Sequence, residues 1–63
     1  SSLEFKEGDR VRHPVFKDGT VEKIDYDEEA IFILFDSMQT LRAIALRAAK
    51  KLEKIQDKIE RFS

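Results

Sequence analysis

The sequence contains no cysteine and no tryptophan, and only one histidine, one proline, one methionine and two glycines among 63 residues. Without thiols there is neither a disulfide framework nor a thiolate metal site, a usage expected of a reducing, cytoplasmic setting. With His13 as the single imidazole, no metal cluster can be drawn from several histidines. No apolar run reaches the roughly 18 residues that cross a bilayer, and no secretory apolar segment is present, so a soluble chain is expected. A glycine-rich phosphate loop with its lysine and hydroxyl is missing, as is any supported nucleophile and base pair. These absences lead to the expectation of a noncatalytic protein without cofactor or metal. The chain opens on Ser1 and its only methionine is Met38, which suggests an excised domain or a processed product.

A chain of this length is one domain, residues 1–63, and buries only roughly 60% of the surface it exposes when unfolded. Its margin of stability is therefore thin, and it has no room for a deep catalytic cleft.

What is abundant is charge, 40% of all residues, with a net charge of only −1. Its distribution is uneven. Through Val21 the charges cancel. Between Glu22 and Asp36 the acids Glu22, Asp25, Asp27, Glu28, Glu29 and Asp36 face Lys23 alone. From Gln39 onward Arg42, Arg47, Lys50, Lys51, Lys54, Lys58 and Arg61 outnumber Glu53, Asp57 and Glu60. Nucleic-acid binders draw most of their affinity from neutralising phosphates. A chain with no overall basic excess is a poor candidate for strong autonomous DNA binding.

The stretch from Phe5 to Val21 carries the sharpest local pattern. Gly8-Asp9 is a turn dipeptide that releases the chain into Arg10-Val11-Arg12-His13, a short strand with Val11 and His13 on one face and the arginines on the other. Pro14 closes that strand, Phe16 supplies an apolar anchor, and Asp18-Gly19 signals a two-residue turn before Thr20-Val21 resumes extended structure. Val21 and Ile24 continue a second strand, and Asp25 to Glu29 forms an acidic turn lacking the glycine and terminal glutamate of a calcium loop. Tyr26 in that turn is a single aromatic and does not make a cage for a cation. His13, in phase with Val11, is expected to be a structural residue that hydrogen-bonds neighbouring backbone.

Ala30 to Phe35 forms the next strand and is apolar on both faces, with Ile31, Ile33 and Phe35 in one stripe and Phe32 and Leu34 in the other. Such a run implies cover on both sides.

Gly8, Asp9, Val11, His13, Phe16, Gly19, Thr20 and Val21, followed by Phe35-Asp36 and by Leu52-Glu53-Lys54-Ile55, give the chain a pattern that resembles the C-terminal Tudor-like domain of UvrD/PcrA-type superfamily 1 DNA helicases. The resemblance spans about residues 5–55. It implies a mainly β, small SH3-like or Tudor-like barrel of four to five antiparallel strands. It also implies an accessory module that docks the motor onto a protein partner, RNA polymerase in the family's known case, in DNA repair, with DNA contact secondary. The partner surface implied is the first hairpin, corresponding here to Arg10, Arg12, Val15, Phe16 and Lys17. Two positions depart from the family, which commonly has a basic residue at Val15 and glycine at Lys17. The second departure suggests a different backbone conformation in this loop.

The tail supports two readings. Leu41, Ala45, Ala48, Leu52, Ile55, Ile59 and Phe62 fall at alternating spacings of four and three, without glycine or proline, so that Thr40 to Phe62 taken alone reads as one amphipathic helix. The resemblance instead implies a strand near Thr40 to Leu46, one helical turn through Arg47 to Lys50, and a closing strand at Leu52 to Ile55. Combining the two, Thr40 to Ala45 is expected as a fourth strand after a turn at Asp36-Ser37, completing a barrel over about 5–46, with a helix over about 47–62 packed on Phe32 and Leu34. On the helix, Arg47, Lys51, Lys54, Lys58 and Arg61 would form a cationic stripe able to meet an acidic partner or nucleic acid. Homodimerisation through the helix and the Phe32/Leu34 face is the competing reading, and a weak duplex-DNA binder the third.

Overall fold

The computed structural model describes residues 5–55, which form a mainly β globule of five antiparallel strands and one short 3-10 helix. The strands are β1 (Arg10–His13), β2 (Lys17–Asp25), β3 (Ala30–Phe35), β4 (Leu41–Ala45) and β5 (Glu53–Lys54), and the 3-10 helix is Leu46–Lys51. They make one sheet in the order β4-β3-β2-β1-β5.

The chain enters through a turn over Lys6 to Asp9, closed by Asp9 N–H donating to Lys6 O at 3.1 Å. Gly8 takes φ of +92° at its third position, the place where a type II turn requires glycine. The turn is tied to β2, since Gly8 N–H donates to Val21 O at 2.8 Å and Val21 N–H to Asp9 O at 2.9 Å.

The first hairpin corrects the expected turn at Asp18-Gly19. His13 pairs with Lys17, which leaves Pro14, Val15 and Phe16 as the loop, and both Asp18 and Gly19 lie inside β2. Gly19 is glycine because of a close approach: a Cβ there would lie 2.8 Å from Phe35 Cδ1, 2.9 Å from Ile33 Cγ2 and 2.9 Å from Leu34 O. The residue that closes the loop is Lys17, with φ of +70°. A three-residue loop followed by a left-handed residue is a standard hairpin solution. The backbone that would suit glycine is therefore present at Lys17, against the expectation that its loss changes the conformation.

A bulge explains why Val21 and Ile24 are three positions apart. Val21 pairs with Ile33 but Lys23 pairs with Phe32, so Glu22 is the extra residue. Glu22 and Lys23 both stay exposed, and Ile24 returns to pack against the core. Bulges bend the strand and increase its twist.

The core consists of Phe5, Val11, Val21, Ile31, Ile33, Phe35, Ala49 and Leu52, with no buried charged or polar residue among the described ones. Phe35, Ile31 and Ile33, all at 0% exposure, come from one stripe of β3. The other stripe, Phe32 and Leu34, is half-buried. Directly opposed residues in an antiparallel pair share a face, so Leu34 lies in a row with Thr20 and Leu41, and Phe32 in a row with Lys23 and Ala43.

The helix expected over about 47–62 does not form across Arg47 to Ile55. Leu46–Lys51 is 3-10, Leu52 is extended, and Glu53–Lys54 pairs with β1 through Arg12 and Val11. In a 3-10 helix residues three apart eclipse. Leu46, Ala49 and Leu52 accordingly face the core, whereas the helical reading placed Ala48 there. The competing arrangement, one helical turn between two strands, is the one observed. The remainder of the expected helix, 56–62, lies outside the described residues.

Candidate functional site

The tip of the first hairpin is where an exposed apolar side chain, an aromatic anchor and cations meet. Val15 stands at the apex and is 69% exposed, the most open large apolar residue described. Beneath it the His13 ring holds the turn: its Nδ1 accepts from the backbone N–H of Val15 at 3.0 Å and of Phe16 at 3.2 Å. This is the structural backbone role expected of His13. Because Nδ1 accepts, the neutral ring carries its proton on Nε2.

Phe16 packs half-buried between His13, at 4.7 Å between ring centres, and Phe35 at 5.2 Å. The Arg42 guanidinium lies 4.5 Å above the Phe16 ring, within the range of cation–π attraction. Arg42 pairs with Ile33 and so projects to the core side of β4, over the hairpin's anchor. Nothing in the sequence joins Arg42 to Phe16; only its position as the one charge in an apolar strand sets it apart. Burial, followed by the charges of Lys51 and Arg42, holds the His13 pKa below its ordinary value. Of the two, Arg42 is in contact with the hairpin, over the Phe16 ring. Lys17 faces His13 across the ladder, exposed, with Nζ 3.5 Å from Pro14 O.

The residues implied as partner-binding do not share one surface. Val15 and Lys17 are open at the tip, but Phe16 is committed to the aromatic stack. Arg10 and Arg12 lie on the opposite face of the sheet, in ion pairs. Arg10 donates to both carboxylate oxygens of Asp36, at 2.8 and 2.7 Å, and to Thr20 Oγ1 at 3.0 Å. Arg12 Nε donates to Asp18 Oδ1 at 2.7 Å. The hydrogen bonds from Arg10 and Arg12 hold the Asp36 and Asp18 carboxyls below their ordinary pKa, and raise the arginines in return.

The expected cationic stripe is not assembled on one helix. Arg47 and Lys51 are exposed on the 3-10 turn, whereas Lys54 sits on β5 opposite Val11, with Nζ 3.4 Å from Asp9 Oδ2. A strand and a 3-10 turn do not preserve the angular spacing of an α-helix, so the rhythm in sequence has no counterpart in space. Lys58 and Arg61 lie outside the described residues. Among the described residues, no ion pair engages Lys17, Arg42, Arg47 or Lys51, while Arg10, Arg12, Lys23 and Lys54 each have a carboxylate within 4 Å.

The acidic loop is a solvated turn. Asp25 Oδ1 accepts from the N–H of Asp27 and of Glu28, both at 3.0 Å, and Glu29 takes φ of +56°. Tyr26 is 63% exposed and borders a shallow open groove with Phe5, Lys6, Glu7 and Ile24. Among the described residues no group of three or more carboxylate, histidine or cysteine side chains is arranged to hold a metal, and no helix is long and apolar enough to cross a membrane. Comparison with family models, curated proteins and solved structures gives no match.

Proposed function

We propose that this chain is a noncatalytic interaction module, a Tudor-like or SH3-like barrel of the UvrD/PcrA helicase type, that docks a cytoplasmic DNA helicase onto RNA polymerase through its first hairpin. The observation that carries the reading is the hairpin tip: Val15 held out at the apex by a rigid base of His13, Phe16 and Phe35. The sequence resemblance supplies the parent and the partner, and a five-stranded antiparallel sheet is compatible with the barrel.

Within this reading the contact set shifts from that implied by sequence. Val15 and Lys17 meet the partner, with Arg42 and Lys51 flanking them, because Arg10 and Arg12 are held by Asp36 and Asp18 on the other face. Cations with no ion pair among the described residues favour a partner surface with carboxylates over a wholly apolar one. Nucleic acid is secondary, since the net charge is −1.

Binding of the 63-residue chain to purified bacterial RNA polymerase by interferometry tests the proposal. Val15→Asp and Lys17→Glu should each weaken binding at least tenfold without unfolding the domain, since both side chains are exposed. Arg47→Glu should change it little. No binding by the wild-type chain at micromolar polymerase overturns the assignment.

A second reading rests on a different surface. Phe32 and Leu34, half-buried, and Leu41, 52% exposed, share the outer face of the sheet, and large exposed apolar patches mark association sites. Self-association there predicts a mass that rises with concentration in sedimentation and is lost in Leu41→Glu. A monomer at high concentration excludes it.

A further inference from the structure

We propose that His13 is a proton-operated latch on the first hairpin, keeping the Pro14-Val15-Phe16 turn in docking shape while neutral and releasing it when protonated. The proposal rests on reading the hairpin tip as the docking surface and adds its regulation.

The latch follows from which lone pair does the work. A proton binding to neutral His13 must take the Nδ1 lone pair, which already accepts from the backbone N–H of Val15 and Phe16 at 3.0 and 3.2 Å. Once protonated, Nδ1 is a donor facing two donors, and both hydrogen bonds are lost together. In this turn His13 stands where asparagine, aspartate or serine commonly supplies an oxygen to the following backbone. An imidazole does the same job but can be switched off by acid.

The charged surroundings reinforce the switch. From β4 Arg42 and from the 3-10 helix Lys51 both oppose a charge on the ring, and the cross-strand partner on β2 is Lys17. β3 contributes the uncharged Phe35, whose ring centre lies 5.9 Å from that of His13. The adjacent carboxylates, Asp18 on β2 and Glu53 on β5, are registered against Arg12. Successive strand residues point to opposite faces, so these carboxylates lie across the sheet from the imidazole. A protonated His13 thus gains no described counter-ion while losing its two backbone partners. Phe16, whose position depends on that turn and on stacking against the ring, loosens with it.

A proton titration of the 63-residue chain followed by NMR from pH 7.5 to 5 tests the latch. The Val15 and Phe16 amide resonances should move with the same midpoint as the His13 ring, and that midpoint should lie below the ordinary imidazole value. Affinity for purified RNA polymerase should fall about tenfold over the same range, equivalent to one or two net hydrogen bonds. In His13→Asn the side-chain oxygen can accept the same backbone groups without titrating, so the turn amides and the binding should both become independent of pH. The proposal is overturned if the two amides stay still while the wild-type ring titrates, or if wild-type binding is unchanged across the midpoint. If the amides follow the ring but polymerase is bound at no pH, the latch stands and the docking assignment falls.

Discussion

Gly8 and Gly19 look alike in the sequence, each beside an aspartate, yet they are needed for opposite reasons. Gly8 has open space around its would-be Cβ but φ of +92°, so an alanine there is strained by conformation alone, at about 1 kcal/mol. Gly19 has no such strain, but its would-be Cβ lies 2.9 Å from the Leu34 carbonyl oxygen, which a side-chain rotation cannot clear. Overpacking of that kind costs about 1–3 kcal/mol or more. Gly19→Ala should therefore lower the thermal midpoint well beyond Gly8→Ala, and equal shifts in a melting experiment would contradict the packing account. Lys17, at φ of +70°, bears the left-handed strain with a side chain attached. Replacing it with glycine relieves about 1 kcal/mol of that strain but returns ~0.4–1 kcal/mol of unfolded-chain freedom. Lys17→Gly should leave the urea midpoint nearly unchanged while removing the cation from the tip.

At the level of elements, the segment after β4 separates two patterns that share most of their apolar residues. An α-helical rhythm buries Ala48 and exposes Ala49, whereas the 3-10 turn leaves Ala48 half-exposed and Ala49 only 4% exposed. Ala49→Glu buries an unpaired carboxylate and should abolish most folded protein, while Ala48→Glu should shift the urea midpoint slightly. The reverse order would restore the helix. The strands β1 and β3 were readable because alternation of Val11 with His13 and of Ile31, Ile33 and Phe35 is a local signal, whereas β4 lies in a segment whose own rhythm is helical and was expected only through the resemblance. Neither the Glu22 bulge nor the 3-10 turn was readable from periodicity alone. The bulge is a two-against-one mismatch between β2 and β3, visible only once both strands are registered. The 3-10 segment is rich in alanine, leucine, arginine and lysine, all strong α-helix formers, and its geometry is imposed by the need to bury Ala49 and Leu52 and then return to β1. At the candidate site, Val15, Phe16 and Lys17 were implied by the family resemblance alone. Arg42 and Lys51 join them only through the fold, and Arg10 and Arg12 are removed from them by Asp36 and Asp18.

For the molecule as a whole, these local groups combine into one direction of pH dependence. His13 has its pKa lowered in the folded state by burial and then by Lys51 and Arg42. Its contribution is therefore complete above the unfolded imidazole value of about 6.5 and is lost as the pH falls through the lower folded value. Asp18 and Asp36 are also lowered, by hydrogen bonds from Arg12 and Arg10. Their contribution is present above the unfolded carboxyl value of about 3.9 and declines as acid titrates the folded groups. Both pairs are exposed, so the second loss is small and weakens further with salt. The thermal midpoint should thus hold level from neutral pH downward, fall once below about pH 6.5 and again below about pH 4. His13→Asn should flatten the upper step and keep the lower one, and the Arg10→Gln, Arg12→Gln double variant should do the converse. High salt should shrink the lower step more than the upper, because the upper one rests first on burial of a ring packed against Phe16 and Phe35 and only then on the charges of Lys51 and Arg42, which salt screens. A melting midpoint that rises on acidification through pH 6 would require the protonated ring to be the better partner, which the two N–H groups pointing at Nδ1 do not permit.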